Sequence, residues 1–225
     1  MTIFALKFTR IVSVILNLLF PEKCLGCKKE GTFLCAECVT TLPGAETENL
    51  LADITALFAY KNTIVKKAIR TLKYRGAKSV AKTFAGPLYE ELLAGLGEDG
   101  VTKNTERVML VPVPLSSKKL RERGFNQAER LVREMAGLGG GVVVEPRMDV
   151  VRKIKDTPSQ TSFRNKKSRL NNVKGCFVVV KPRDVRGRHV IIVDDVCTTG
   201  ATVREIQKVL KAAGAKRIEA LVVAH

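Results

Sequence analysis

The stretch Val190-Ile-Ile-Val-Asp-Asp-Val-Cys-Thr-Thr-Gly-Ala-Thr202 decides the fold. Its four apolar β-branched residues, Val190 to Val193, read as a fully buried central strand. Asp194 and Asp195 arrive at the carboxyl end of that strand, where open α/β sheets bind their ligands. Two adjacent carboxylates are costly in a core unless a ligand or a cation meets them. Side chains alternate along a strand, so both reach one ligand only if the strand ends at them, and the turn that follows predicts that it does. Thr198-Thr-Gly-Ala-Thr202 runs directly into a helix. Gly200 permits a backbone that a Cβ would obstruct, and the N–H groups and hydroxyls of Thr198, Thr199, Ala201 and Thr202 then surround an anion at the helix N-terminus. Each N–H bonded to an ionised oxygen contributes roughly 1.5–3 kcal/mol. The bland alternative is a strand-to-helix turn in which an Asp caps the helix. The lysine of a GxxxxGK[ST] phosphate loop is absent.

Phosphate on one side and two carboxylates on the other suit a ribose 5-phosphate, with the carboxylates on the 2- and 3-hydroxyls. The rest of the chain supplies a matching frame. Ala52–Tyr60, Val108–Pro114, Val142–Glu145, Phe177–Val180, His189–Val193 and Ile218–Ala224 read as strands. Helical patterns cover Thr63–Lys73, Lys78–Leu96, Ser117–Met135 and Thr202–Ala213. Strands alternating with helices predict an α/β fold with an open, mostly parallel sheet. The polar, basic stretch from Arg152 to Lys174 has no clean apolar period and reads as a mobile loop with a helical part.

Ahead of this frame lies Cys24-x2-Cys27-x7-Cys35-x2-Cys38. Two CxxC pairs place four thiolates where tight turns can close a tetrahedral shell around zinc. Metal binding on the order of 10 kcal/mol would fold a knuckle with almost no core of its own. Two disulfides are the alternative, but nothing marks export, and four cysteines leave no open catalytic position, so the zinc is read as structural. Cys176 and Cys197 are isolated. Residues 2–19 read as an apolar helix with Lys7, Arg10 and Asn17 as a narrow polar stripe. Pro21-Glu-Lys-Cys24 stands where a signal peptide would carry small residues.

The chain has 225 residues, 45% hydrophobic and 27% charged, which is long enough for one sizeable core and a small satellite module, but not for two full domains. That composition excludes a disordered or collagen-like chain, and no apolar run reaches the ~18 residues of a membrane span. The expected location is the cytoplasm. The formal charge of +17 is unevenly placed: residues 61–82, 118–133 and 147–188 hold 27 of the 39 cations and only 5 of the 22 acids. Such segments are either solvated helix faces or a surface that meets polyanions, whether phosphorylated small molecules or nucleic acid. An aromatic content of 5% with no Trp argues against extensive base stacking.

The apolar-Asp-Asp-x-x-Thr-Thr-Gly-x-Thr run resembles the phosphoribosyl pyrophosphate (PRPP) motif of type I phosphoribosyltransferases. Further segments narrow the likeness: the paired CxxC motifs, Leu110-Val-Pro-Val-Pro-Leu115, Arg121-Glu-Arg-Gly-Phe-Asn-Gln127, and Arg152…Thr157-Pro-Ser-Gln160…Arg169-Leu-Asn-Asn172. Together they resemble the ComF family, named for competence and DNA uptake, from about Phe20 to the end of the chain. The resemblance implies a type I phosphoribosyltransferase-like domain over residues 51–225, preceded by the helix and zinc module over residues 1–50. It implies PRPP bound with Mg²⁺, and departure of pyrophosphate from C1 through an oxocarbenium-like state. Asp194, Asp195 and Arg152 are then the catalytic candidates. Ser116, in the turn at Leu115–Ser117, faces the pyrophosphate, with Lys118, Lys119, Arg121 and Arg123 close by. Arg152 and Arg169 contact the pyrophosphate from a closing loop, in which Gln160 and Asn172 position the loop or the ligand. Arg123-Gly-Phe-Asn-Gln127 is read as structural or as ligand-positioning. Lys73-Tyr-Arg-Gly76 is also typical of the family and is a candidate for the binding face. Three functions stay open: phosphoribosyl transfer to a nitrogenous acceptor, a non-catalytic factor that binds single-stranded DNA and uses the PRPP pocket for regulation or stability, or a zinc-organised assembly module with a relict pocket. Competence-machinery proteins are candidate partners, and a lid supplied to a neighbouring subunit would require an oligomer.

Overall fold

The computed structural model describes residues 21–46, 48, 50–102, 107–156 and 173–225. The apolar helix expected over 2–19, and Gln160, Phe163, Arg169 and Asn172, lie outside the described residues. A five-stranded parallel sheet forms the frame, in the order β1 (Ile54–Phe58), β7 (Arg217–Ala224), β6 (His189–Val196), β2 (Val108–Pro112), β3 (Val144–Pro146). The most apolar strands lie inside. Every residue of β2 is buried, as are Val190 to Val193 of β6, because helices cover both faces. Residues of β6 alternate between two cores. Ile191 and Val193 pack with α2 (Thr63–Arg75), α3 (Lys78–Thr102) and α5 (Gln127–Leu138), while Val190 and Ile192 pack with α7 (Ala201–Ala212).

The helices follow from their apolar spacing. On α5, Ala128, Leu131, Val132 and Met135 are buried, and on α7, Ala201, Val203, Ile206 and Leu210, in each case one face of a 3.6-residue period. The expected second helix does run from Lys78 to Leu96. Gly97 then leaves helical geometry at φ 67° before a further turn to Thr102.

The single helix expected over Ser117–Met135 is instead two, α4 (Ser117–Arg123) and α5. Gly124 closes α4 at φ 76°, a left-handed conformation that suits glycine. Asn126 opens α5 by accepting the Ala128 N–H at 3.0 Å. The stretch read as a loop from Arg152 begins inside a strand, β4 (Val151–Lys153), which pairs antiparallel with β5 (Phe177–Val179) in a separate two-stranded ribbon. The short α6 (Pro182–Val185) was not legible in the sequence.

The cysteine-rich segment carries α1 (Ala36–Thr40) and does not stand apart. Leu34, Cys35, Val39 and Leu42 share one core with Val65, Leu72 and Phe84. The Thr83 hydroxyl donates to the Leu34 carbonyl at 2.7 Å, and the Ser79 hydroxyl to Glu22 at 2.6 Å. A knuckle read as nearly coreless thus borrows the core of α2 and α3.

Candidate functional site

The carboxyl end of β6 brings the acidic pair and a group of cations together. The strand does not stop at Asp194 but continues to Val196, pairing Asp194 with Val222 and Val196 with Ala224 of β7. Alternation therefore separates the two carboxylates at their roots: Asp195 takes the face of Ile191 and Val193, toward α2, and Asp194 takes the other. Asp194 is drawn back along its own chain, where its Oδ1 accepts the Asp195 N–H at 2.8 Å. The expectation that the strand ends at the pair is corrected: the strand runs on, and the two carboxylates leave it on opposite faces, although Asp195 still acts electrostatically to raise the Asp194 carboxyl.

Asp195 is buried. Its Oδ1 accepts from Lys73 Nζ of α2 at 2.9 Å, while its Oδ2 is buried with no hydrogen-bond partner among the described residues. Burial disfavours the charge on Lys73, yet Asp195 outweighs this and holds the ammonium above its usual range, with Asp194 and Tyr60 adding to the effect. Burial and the adjacent Asp195 push the Asp194 carboxyl up to about 7, against the opposing pull of Lys73 and Arg123. Two further lysines face the same space. Lys119 of α4 is lowered by burial and by the charges of Arg123 and Lys73; Lys153 of β4 is lowered by burial and by Lys119. Cations that depress one another around a carboxylate pair form a receptor for an anion that carries several charges.

The turn after β6 has the geometry of a phosphate cradle. Gly200 sits at φ 71° immediately before α7, and an added Cβ would lie 3.4 Å from Leu51 Cδ1 and 3.5 Å from Ile54 Cδ1. The N-cap of α7 is Gly200, which has no side chain to offer the first N–H groups of the helix. Thr198 is exposed, Thr202 is partly buried, and Ala201 is buried as the first helical residue. The Thr199 hydroxyl is buried with no hydrogen-bond partner among the described residues. Cys197 lies behind the turn: burial raises its thiol to about 11, its N–H donates to the Ala224 carbonyl at 3.0 Å, and its own carbonyl is 2.8 Å from His225 Nδ1.

The Arg121–Gln127 segment places its residues from a double cap. Asn126 is buried and its Nδ2 donates to the Val113 carbonyl at 3.0 Å, fixing the start of α5 to the end of β2. Gln127 Oε1 accepts from Arg123 Nη1 at 2.5 Å, and the Arg123 guanidinium lies 5.4 Å from the centre of the exposed Tyr74 ring. Ser116 is buried as the cap of α4, accepting the Lys119 N–H at 3.4 Å. Arg152 is exposed on β4, in the wall of a cleft it shares with Leu115, Leu120, Asp149 and Lys181. Its neighbour Lys153, one step along the strand, is the residue whose charge reaches Asp194. Lys73 and Lys153 are thus the site cations that motif reading did not assign. The family-typical Lys73-Tyr-Arg-Gly76 run was the signal for the first; nothing in the sequence marked the second.

Sequence spacing also brings the four cysteines together. The Sγ atoms of Cys24, Cys27, Cys35 and Cys38 all lie within 4.8 Å of one another, with Cys24–Cys35 and Cys27–Cys35 at 3.6 Å. Zinc–sulfur bonds of about 2.3 Å in a tetrahedron need sulfurs about 3.8 Å apart, so the set fits a metal ion. Burial works against ionising Cys24, but the N–H groups of Cys35, Cys27 and Gly26 outweigh it and lower the thiol to about 6. At Cys35 the Cys38 N–H acts to lower the thiol; Glu37, burial and the other sulfurs outweigh that and raise it to about 12. One thiolate forms readily and the next resists, a conflict that a divalent cation relieves. Gly26 keeps the cradle open, since a Cβ there would lie 2.7 Å from Cys38 Sγ. Among the described residues no helix is long and apolar enough to cross a membrane.

Comparison with known proteins extends this geometry. A profile of the phosphoribosyl transferase domain matches residues 90–225. Competence protein ComFC of Streptococcus pneumoniae is 30% identical over 199 residues, covering 88% of this chain and 78% of the streptococcal protein. DNA utilization protein YhgH of Escherichia coli K12 is 32% identical over 151 residues, 67% of this chain and 63% of that protein. This chain therefore spans somewhat less than two thirds of the enterobacterial relative. The solved hypoxanthine-guanine phosphoribosyl transferase of L. donovani is 14% identical, with a TM-score of 0.39 over 64% of this chain and 71% of that one.

Proposed function

The chain belongs to the ComF family of phosphoribosyl transferase domain proteins, and from that premise we propose that it binds PRPP with Mg²⁺ at the carboxyl end of β6. The observation that carries this reading is a pair of buried oxygens, Asp195 Oδ2 near the end of β6 and the Thr199 hydroxyl in the turn that follows, neither with a hydrogen-bond partner among the described residues, just ahead of the helix that opens at Gly200. The carboxylates accept the ribose 2- and 3-hydroxyls. The N–H groups from Gly200 to Thr202, with the hydroxyls of Thr198, Thr199 and Thr202, hold the 5-phosphate. The Mg²⁺-bound diphosphate lies among Lys73, Lys119, Arg123 and Lys153, beside the Ser116 turn and Arg152; Gln160 and Arg169 remain candidates from the resemblance. Such an arrangement favours a transition state in which the sugar gains positive charge and the diphosphate gains negative charge. Zinc at the four cysteines is structural: it organises the segment Cys24–Leu42, whose Leu34, Val39 and Leu42 share a core with the α/β domain over residues 51–225.

Calorimetric titration of Mg²⁺–PRPP into the zinc-loaded protein tests this directly. Micromolar binding, lost in Asp194→Asn/Asp195→Asn, supports the pocket and justifies a screen of nitrogenous acceptors. No binding at millimolar ligand overturns it.

A second activity is supported by a separate observation. Lys66, Lys67, Arg70 and Arg75 of α2 and Lys118 and Arg121 of α4 are exposed on the two helices that also carry Lys73 and Arg123 into the site. The relatives are named for competence and DNA utilization. We infer that this surface holds single-stranded DNA through its phosphates, in a protein that serves DNA uptake. Binding must then weaken steeply with salt, log K falling by about 0.7 per phosphate contact for each unit of log salt. A flat salt response would reject it.

A further inference from the structure

Lys73 lies outside the segment that matches the phosphoribosyl transferase domain, residues 90–225, yet it makes the tightest charged contact at the acidic pair. It is carried there by α2, a helix fixed at both ends. Asn62 caps its start by accepting from the Ile64 and Val65 N–H groups, at 2.9 and 3.2 Å, and Gly76 ends it at φ 58°. Gly76 has no room for a side chain, since a Cβ would lie 2.9 Å from the Phe125 ring. Arg130 seals this junction, donating to the Gly76 carbonyl while its guanidinium stacks 4.0 Å from the centre of the Phe125 ring. The helix that delivers Lys73 is thereby tied to the turn that delivers Arg123. Its opposite side packs Val65 and Leu72 into the core shared with Leu34 and Cys35.

The contact divides the two oxygens of Asp195. Oδ1 is taken by Lys73 Nζ, and Oδ2 is buried without a hydrogen-bond partner among the described residues. A buried acceptor without a donor is unfavourable, and it is filled once a hydroxyl donates to it. The ion pair with Lys73 holds the Asp195 carboxylate in one orientation, and the lysine charge offsets the two adjacent acids.

We propose that Lys73 is a positioning residue of the PRPP site, contributed by the part of the α/β domain that lies before the profile-matched residues 90–225, which holds Asp195 so that Oδ2 accepts a ribose hydroxyl. This rests on the PRPP reading of the site. Groups facing this locus are Asp194 and Asp195 from β6, Tyr60 before α2, Lys119 and Arg123 from α4, and Lys153 from β4. Of these cations, Lys73 is the one that opposes the rise of the Asp194 carboxyl most strongly, so its removal moves the pH dependence of binding as well as its strength.

The test titrates Mg²⁺–PRPP into wild type, Lys73→Met and Lys73→Arg, all zinc-loaded, from pH 6 to 9. Circular dichroism and thermal melting confirm that each variant is folded. Expected is a loss of affinity on the order of tenfold or more in Lys73→Met at pH 7, with its binding profile displaced to higher pH and the loss shrinking by pH 9. Lys73→Arg restores most of the affinity and the wild-type profile. If folded Lys73→Met binds as wild type does with an unmoved profile, the assignment of Lys73 is overturned while the PRPP site stands. A uniform loss at every pH, not rescued by Arg, also overturns it. If wild type does not bind, the PRPP reading and this assignment fall together.

Discussion

With the Asp194 carboxyl pushed up to about 7 by burial and by Asp195, the proposed binding of PRPP is expected to release protons. A carboxyl with that midpoint is ionised in about one molecule in ten at pH 6, in half at pH 7 and in about nine in ten at pH 8. A ligand whose hydroxyl must be accepted by the ionised form therefore binds about tenfold more tightly at pH 8 than at pH 6 through this group alone. At pH 7 it expels about half a proton from Asp194, and nearly a whole one at pH 6. Calorimetry in two buffers of different ionisation enthalpy counts those protons. The 5-phosphate of the ligand also titrates near pH 6, so the informative quantity is the difference between wild type and Asp194→Asn at each pH. The surrounding charges, Asp195, Lys73, Arg123 and Lys153, are retained in that variant. Equal proton release by the two proteins, or wild-type affinity that falls as pH rises, refutes the reasoning. The ligand-free protein supplies an independent check on sign. A folded-state value raised above 3.8 contributes stability that is complete below pH 3.8 and is lost as pH rises through about 7. The melting temperature of Asp194→Asn relative to wild type must therefore increase between pH 5 and pH 8.

Other perturbations reach the frame around the site. Gly200→Ala imposes a left-handed backbone on a residue with a Cβ, at about 1–2 kcal/mol, so melting should fall by several degrees and PRPP affinity with it; unchanged values would show that the turn relaxes freely. Asn126→Ala removes the cap of α5 and leaves the Val113 carbonyl without its donor, a loss of about 2–3 kcal/mol, read as a lowered midpoint in urea at unchanged slope. Chelation of zinc should expose Leu34 and Val39 and loosen α2 and α3, seen as faster amide exchange in both helices. Exchange confined to residues 21–42 would show the knuckle to be independent. Gly26→Ala should lower zinc affinity by displacing Cys38 Sγ, measured by competition with a chromogenic chelator.

The strands and the acidic pair were legible because their signals are local. Val190–Val193 is apolar without interruption, and the turn at Gly200 needs a residue without a Cβ. The four-cysteine cluster was legible for the same reason, since spacing alone constrains it. Lys153 was hidden because its strand is three residues long and forms only by pairing with β5, more than twenty residues later. The break between α4 and α5 was present in Gly124 and Asn126, but the apolar period on either side concealed it. Continuation of β6 to Val196 depends on β7 offering partners as far as Ala224, which no inspection of Asp194 and Asp195 by themselves provides.

The sheet order has a consequence for synthesis. β1 finds its partner in β7, with Ile54 opposite Ala220, so the ribosome must add some 160 residues after β1 before that edge can close. At about 5–20 residues per second this wait lasts on the order of 10–30 s. The cysteines emerge before β1, and metal capture is open to them throughout that interval. A nascent chain that has already seated its zinc would hold α2 and α3 in place as a template. The last strand would then slide between β1 and β6, and the acidic pair would acquire its lysine only at that late step.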